Sequence, residues 1–201
     1  MVRLLLATRN PYKTREFANL LGAQFALRDL NAHTNLPAII ESGGSFEENA
    51  TLKARTASKH VTGLVIADDS GLEVAALDGA PGIFSARYAG ENASDVENME
   101  KLLSELSKIS PPCSRRATFR CVLAIARKGK VLGTVRGVVE GNIADQARGE
   151  YGFGYDPVFV PDGFDRTFAE LPAELKNRLS HRAHAVRALR KMLRAIQAEF
   201  A

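Results

Sequence analysis

A mixed α/β fold is predicted, and three observations predict it. An apolar opening run leads directly into a capped helix. Residues 64–67 form a second short apolar run, and two longer strand-like runs flank a turn at Gly129. Strands and helices alternate at first and then give way to a hairpin, the pattern of a mixed sheet with flanking helices. At 201 residues, 45% hydrophobic and 25% charged, the chain suits one domain spanning residues 1–201, with room for two lobes.

The elements follow in order. Leu4-Leu5-Leu6-Ala7 reads as a buried first strand, too short for a membrane span or a signal segment. Asn10 is placed to cap a helix with Pro11 in its first position, Phe17, Leu20 and Leu21 on its apolar stripe, and Gly22 as its stop. Ser45 and Glu48 form a capping box opening a second helix that runs to about residue 60. Residues 64–67 make a short buried strand ending at Asp68-Asp69-Ser70-Gly71. The turn-rich stretch beginning Gly79-Ala80-Pro81-Gly82 and reaching Gly90 is a candidate link between lobes. A helix is expected over residues 94–108, then strands over 117–126 and 131–139 joined by a hairpin turn at Lys128-Gly129-Lys130. Residues 149–157 form a glycine and aromatic loop entering a strand at Val158-Phe159-Val160. Ser180 caps a last helix with Val186, Leu189, Leu193 and Ile196 on one face.

Composition excludes several classes. No segment approaches a membrane-spanning length, so a cytoplasmic protein without a membrane partner is expected. Cys113 and Cys121 match neither a zinc nor a redox spacing and read as inert buried thiols. His181 and His184 lack a third ligand for a metal. The net charge of +4 favours an anionic partner, though much of it comes from Arg178, Arg182, Arg187, Arg190, Lys191 and Arg194, which also fit a solvated helix face.

Five places carry chemistry. Thr8-Arg9-Asn10-Pro11-Tyr12-Lys13 lies between a strand and a helix N-terminus, either a capped helix start or an anion site with Lys13 adding charge. Asp68-Asp69 suits Mg²⁺, a hard ion taking a few carboxylates plus phosphate oxygens, or else a turn with solvated acids. Glu41 before Gly43-Gly44 is a further candidate ligand, and Lys53 faces either phosphate or water. Gly152-Phe153-Gly154-Tyr155-Asp156-Pro157 offers a ring for a flat base with an acid beside it, or a tight turn into a strand. Lys176, Ser180, His181 and Arg182 gather around the start of the last helix.

In this order, Ala7-Thr8-Arg9-Asn10 with Lys13, Phe46-Glu47-Glu48-Asn49-Ala50 with Lys53, Ala67-Asp68-Asp69-Ser70-Gly71-Leu72, Gly79-Ala80-Pro81-Gly82-Ile83 with Ser85-Ala86-Arg87-Tyr88, the 152–157 loop and Ser180-His181-Arg182 resemble the inosine triphosphate pyrophosphatases, also called dITP/XTP pyrophosphatases, over nearly the full chain. The resemblance implies an elongated, two-lobed α/β fold with a nucleotide cleft between lobes, usually homodimeric. It further implies hydrolysis of dITP, ITP and XTP to monophosphate and pyrophosphate. Thr8, Asn10, Lys13 and Lys53 would hold the triphosphate, and Glu41 and Asp69 would engage Mg²⁺, with Asp69 also the proton acceptor. Ser70 would contact substrate, Phe153 would stack on the base within the Gly154-Tyr155 loop, and Asp156, Lys176, His181 and Arg182 would complete base and ribose recognition. Arg9 stands where many relatives carry glycine; it is strained if that position needs positive φ, and otherwise adds charge near the phosphates. A nucleic-acid-binding module and a nucleotide sensor without turnover are the alternatives; no nucleic-acid partner is expected, because that reading leaves Asp68-Asp69 unexplained.

Overall fold

The computed structural model of the chain describes residues 2–33, 36, 39–110 and 114–199. In chain order it comprises β1 (Val2–Leu6), α1 (Pro11–Leu21), β2 (Phe25–Asp29), α2 (Phe46–Ala57), β3 (Leu64–Val74), α3 (Asp95–Ser107), β4 (Arg116–Arg127), β5 (Lys130–Ile143), β6 (Phe159–Pro161), α4 (Ala173–Leu179) and α5 (His181–Glu199). The strands form one six-stranded sheet in the order β2-β1-β3-β4-β5-β6. β1 runs parallel to β2 and to β3, whereas β5 and β6 are antiparallel, so the sheet is mixed as predicted.

Local chemistry accounts for most boundaries. Asn10 caps α1 by accepting from the Tyr12 and Lys13 backbone N–H groups, and Gly22 ends it at φ 76°. Lys128 and Gly129 both take positive φ, 51° and 77°, which is what a two-residue turn with the twist of a hairpin demands. The α2 capping box is only half formed. Ser45 Oγ accepts from Glu48 N, but the Glu48 carboxylate accepts from Gly44 N rather than from Ser45. The reciprocal box is instead at α3, between Ser94 and Glu97.

Three expectations are corrected. β3 does not stop at Ala67 but continues through Asp68 and Asp69 to Val74, so these acids sit in extended strand and not in a turn. β2 and α4 are elements the pattern did not announce. Residues 79–90 do not join two lobes, because they lie wholly within the second of two compact units. Cys113 lies outside the described residues; Cys121 is a buried free thiol.

The first unit comprises Met1–Asp69, Cys121–Gly137 and Arg182–Ala201. Its core joins Leu6, Phe17, Ile66, Leu123 and Ile125 to the expected α5 face of Val186, Leu189, Leu193 and Ile196. The second unit comprises Ser70–Arg120 and Val138–His181, with a core of Leu72, Leu102, Phe119, Phe159, Phe168 and Leu171. No helix of the described residues is long and apolar enough to cross a membrane. Leu123 is fully buried in the first core, so Leu123→Ala should cost about 2–5 kcal/mol, read as a lower urea midpoint at unchanged slope.

Candidate active site

The first unit carries a compact ionic cluster. Asp68 and Asp69 are adjacent in β3, so their side chains point to opposite faces of the strand. Both are buried, at 2% and 5% exposure, and each has its own lysine. Asp68 pairs with Lys13 of α1 at 2.5 Å and accepts a hydrogen bond from the Cys121 thiol at 3.2 Å. Asp69 pairs with Lys53 of α2 at 2.8 Å, and the same ammonium lies 2.7 Å from Glu41. Strand alternation thus removes the repulsion that two neighbouring acids would otherwise suffer.

Asn49, one turn before Lys53 on α2, completes the arrangement. Its Nδ2 donates to Asp69 at 3.3 Å and its Oδ1 accepts from Gly43 N at 2.8 Å. Any Cβ at Gly43 would approach the Asn49 and Glu48 side chains to within 3 Å, so only glycine permits this contact. Burial raises the Asp69 carboxyl above the ordinary aspartate value; Lys53 and Lys13 oppose that shift and Glu41 adds to it. Burial alone would lower the Lys53 ammonium, but Asp69 and Glu41 reverse the effect and raise it. Glu41 and Asp69 therefore already converge on one cation through hard carboxylate oxygens, a donor chemistry that suits a divalent ion such as Mg²⁺. Among the described residues no group of three acids, histidines or cysteines is placed to bind a metal.

At the end of β1, Thr8 Oγ1 accepts from Asn10 N, and the Asn10 side-chain carbonyl is taken by the α1 cap. Arg9 is not among the described residues with positive φ, so the strain considered for it is absent. Its guanidinium donates to the carbonyls of Leu30 and Leu36, tying the strand end to the segment after β2. Arg182, at the start of α5, is buried in an ion pair with Glu16 of α1 at 2.9 Å.

The second unit carries the aromatic loop. Phe153 N donates to Asp156 Oδ2 at 2.8 Å, Lys176 of α4 reaches the same oxygen at 2.6 Å, and its ammonium lies 5.3 Å from the Phe153 ring centroid. Gly154 N donates to Asp95 at the first position of α3. Tyr155 is buried, donates its hydroxyl to the Ser85 carbonyl, and has its phenol pKa raised by that burial. His181 is also buried and stacks on Phe119 with ring centroids 4.6 Å apart. Ser70 is half-buried on β3. Gly152 has φ 83°, and a Cβ there would lie 2.1 Å from the Asp156 carboxylate. Gly152→Ala should therefore break the Phe153–Asp156–Lys176 arrangement and cost about 1.5–3 kcal/mol of stability, the loss of roughly one charge-assisted hydrogen bond. Thermal unfolding followed by circular dichroism would measure it.

The sequence profile of the Ham1 family matches residues 4–192. The chain belongs to the Ham1 family. It is 47% identical to the dITP/XTP pyrophosphatase of Bacillus subtilis (strain 168) over 97% of this chain and 98% of that protein. It is similar in structure to a HAM1 protein from Coxiella burnetii, with a TM-score of 0.86 and 41% identity over 97% of this chain and all of that one. The Staphylococcus aureus Ham1 protein gives a TM-score of 0.84 at 41% identity, covering 96% of this chain and 98% of that one.

Within this Ham1 chain, Lys13, Glu41, Lys53 and Asp69 are brought to one cluster, and Phe153, Asp156 and Lys176 to another. Sequence reading missed the side chains that hold them. The Asn49 motif gives no role for its amide, the sequence reads Cys121 only as an inert buried thiol, and Glu16 and Asp95 carry no signal beyond being acidic.

Proposed function

We propose that this protein hydrolyses the deaminated purine nucleotides dITP, ITP and XTP to nucleoside monophosphate and pyrophosphate, and that Mg²⁺ is its cofactor. The observation that carries the reading is Asp69, a buried carboxylate of raised proton affinity between a lysine and a second carboxylate. Water attacks the α-phosphorus, the bond from that phosphorus to the α–β bridging oxygen breaks, and pyrophosphate leaves with the electron pair. Asp69 accepts the proton of the attacking water, and burial favours that uptake. Lys13 and Lys53 offset charge on the phosphate chain, with Thr8 and the Asn10 amide as neutral donors. Glu41 and Asp69 would hold Mg²⁺, which would supply further positive charge at the phosphate oxygens.

Selectivity rests on the second cluster and on the start of α5. Phe153 offers its ring to the base, with Asp156 and Lys176 beside it. Hypoxanthine and xanthine carry a carbonyl acceptor where adenine carries an amino donor, so hydrogen-bond donors from Arg182 and His181 would favour the former. A homodimer in the cytoplasm belongs to this reading by resemblance.

The test is incubation with ITP, XTP, ATP, GTP and CTP, with and without Mg²⁺, and identification of the phosphorus products. Metal-dependent pyrophosphate release from ITP and XTP, with the common triphosphates spared, is expected. Orthophosphate release would place the cut at the γ-phosphate and overturn the proposed attack, while binding without turnover would make the protein a sensor.

A further inference from the structure

A second concavity lies in the first unit, of about 520 Å³. Arg3 of β1, Arg28 of β2, His33 and His60 line it, together with Leu5 and Leu64. We infer that it is a binding site for a small phosphate-bearing anion, separate from the Asp68–Asp69 cluster.

Charge supports this first. None of the described residues lining the cavity is acidic. Several cations elsewhere are matched to carboxylates: Lys13 to Asp68, Lys53 to Asp69 and Glu41, Arg116 to Glu140 and Asp162, Lys176 to Asp156, Arg182 to Glu16. Among the described residues, no such pair engages Arg3, Arg28, His33 or His60. Two arginines and no acid at one concavity focus the field on whatever anion enters.

Geometry separates the site. Arg3 and Ala26 are directly paired on β1 and β2, as are Leu5 and Arg28, so both arginines stand on one face of this two-strand edge. Leu4 pairs with Leu64, the first residue of β3, whereas Asp69 comes five residues later, about 16 Å further along that strand. The size lies within the range that encloses small ligands. Arginine supplies planar, fixed donors matched to phosphate, and imidazoles add adjustable ones.

The experiment follows the His33 and His60 imidazole resonances of the full chain carrying Asp69→Asn, titrated with sodium pyrophosphate and, in parallel, with sodium chloride at equal ionic strength. Saturable shifts of both with pyrophosphate alone are expected, weakened at least about tenfold by Arg28→Ala, the loss of a charge-assisted contact. Arg3→Ala provides a second variant should the first fail to fold. Resonances that stay still, that follow chloride equally, or that keep their affinity within about twofold in a folded arginine variant would overturn the site. A further arm uses inosine monophosphate: tighter saturation than by pyrophosphate assigns the pocket to a nucleotide, and weaker saturation to the inorganic anion.

Discussion

Replacing Asp69 with asparagine should lower kcat for ITP by about 10²–10⁴-fold, the range expected on removing a general base. The substitution preserves shape and leaves Lys53 its other partner, Glu41, at 2.7 Å. Folding should therefore be little changed, and a melting curve would separate a catalytic loss from an unfolded enzyme. What the amide lacks is the ability to take up a proton. The native carboxyl is prepared for that uptake because burial raises its pKa, with Glu41 adding to the effect against the pull of Lys53 and Lys13. Near-normal turnover by a folded Asp69→Asn enzyme would remove this side chain from the proton transfer and leave the lysines and any bound metal as the catalytic machinery.

The elements legible in the sequence are those whose causes are local. The Asn10 cap, the Gly22 stop, the Lys128-Gly129 turn and the α5 stripe each depend on a few neighbouring residues, and each stands where the pattern put it. Sequence propensity ends β3 at Ala67 for a physical reason: aspartates are poor strand formers. Here tertiary pairing overrides propensity, because Lys13 and Lys53 compensate the two acids on opposite faces. β2 escaped notice because only five residues form it, and its burial does not alternate cleanly. The site divides in the same way. Its acids and lysines were visible as residue types in motifs, but their supports come from far along the chain. Asn49 and Asp69 are 20 residues apart, Asp68 and Cys121 53, Asp95 and Gly154 59, Glu16 and Arg182 166. No window of sequence contains such pairs.

Lys53→Met should be among the most destabilising single changes in the chain, at about 3–5 kcal/mol, because it leaves buried carboxylates without their cation. Methionine fills a similar volume, so the loss is electrostatic more than steric. Asp69 and Glu41 both lie within 3 Å of the ammonium and would then face each other with like charge. Protonation of Asp69 offers partial relief, since its carboxyl is already raised and would rise further without Lys53. A divalent cation offers a second form of relief, and this makes the variant informative. If Glu41 and Asp69 are the metal ligands, Mg²⁺ should raise the melting temperature of Lys53→Met by more than that of the wild type. In the wild type the lysine already supplies charge between the two carboxylates, and an added ion must compete with it. An equal response in both proteins would mean that the ion binds elsewhere, and the assignment of Glu41 and Asp69 to the metal would fall even if the stability loss were found.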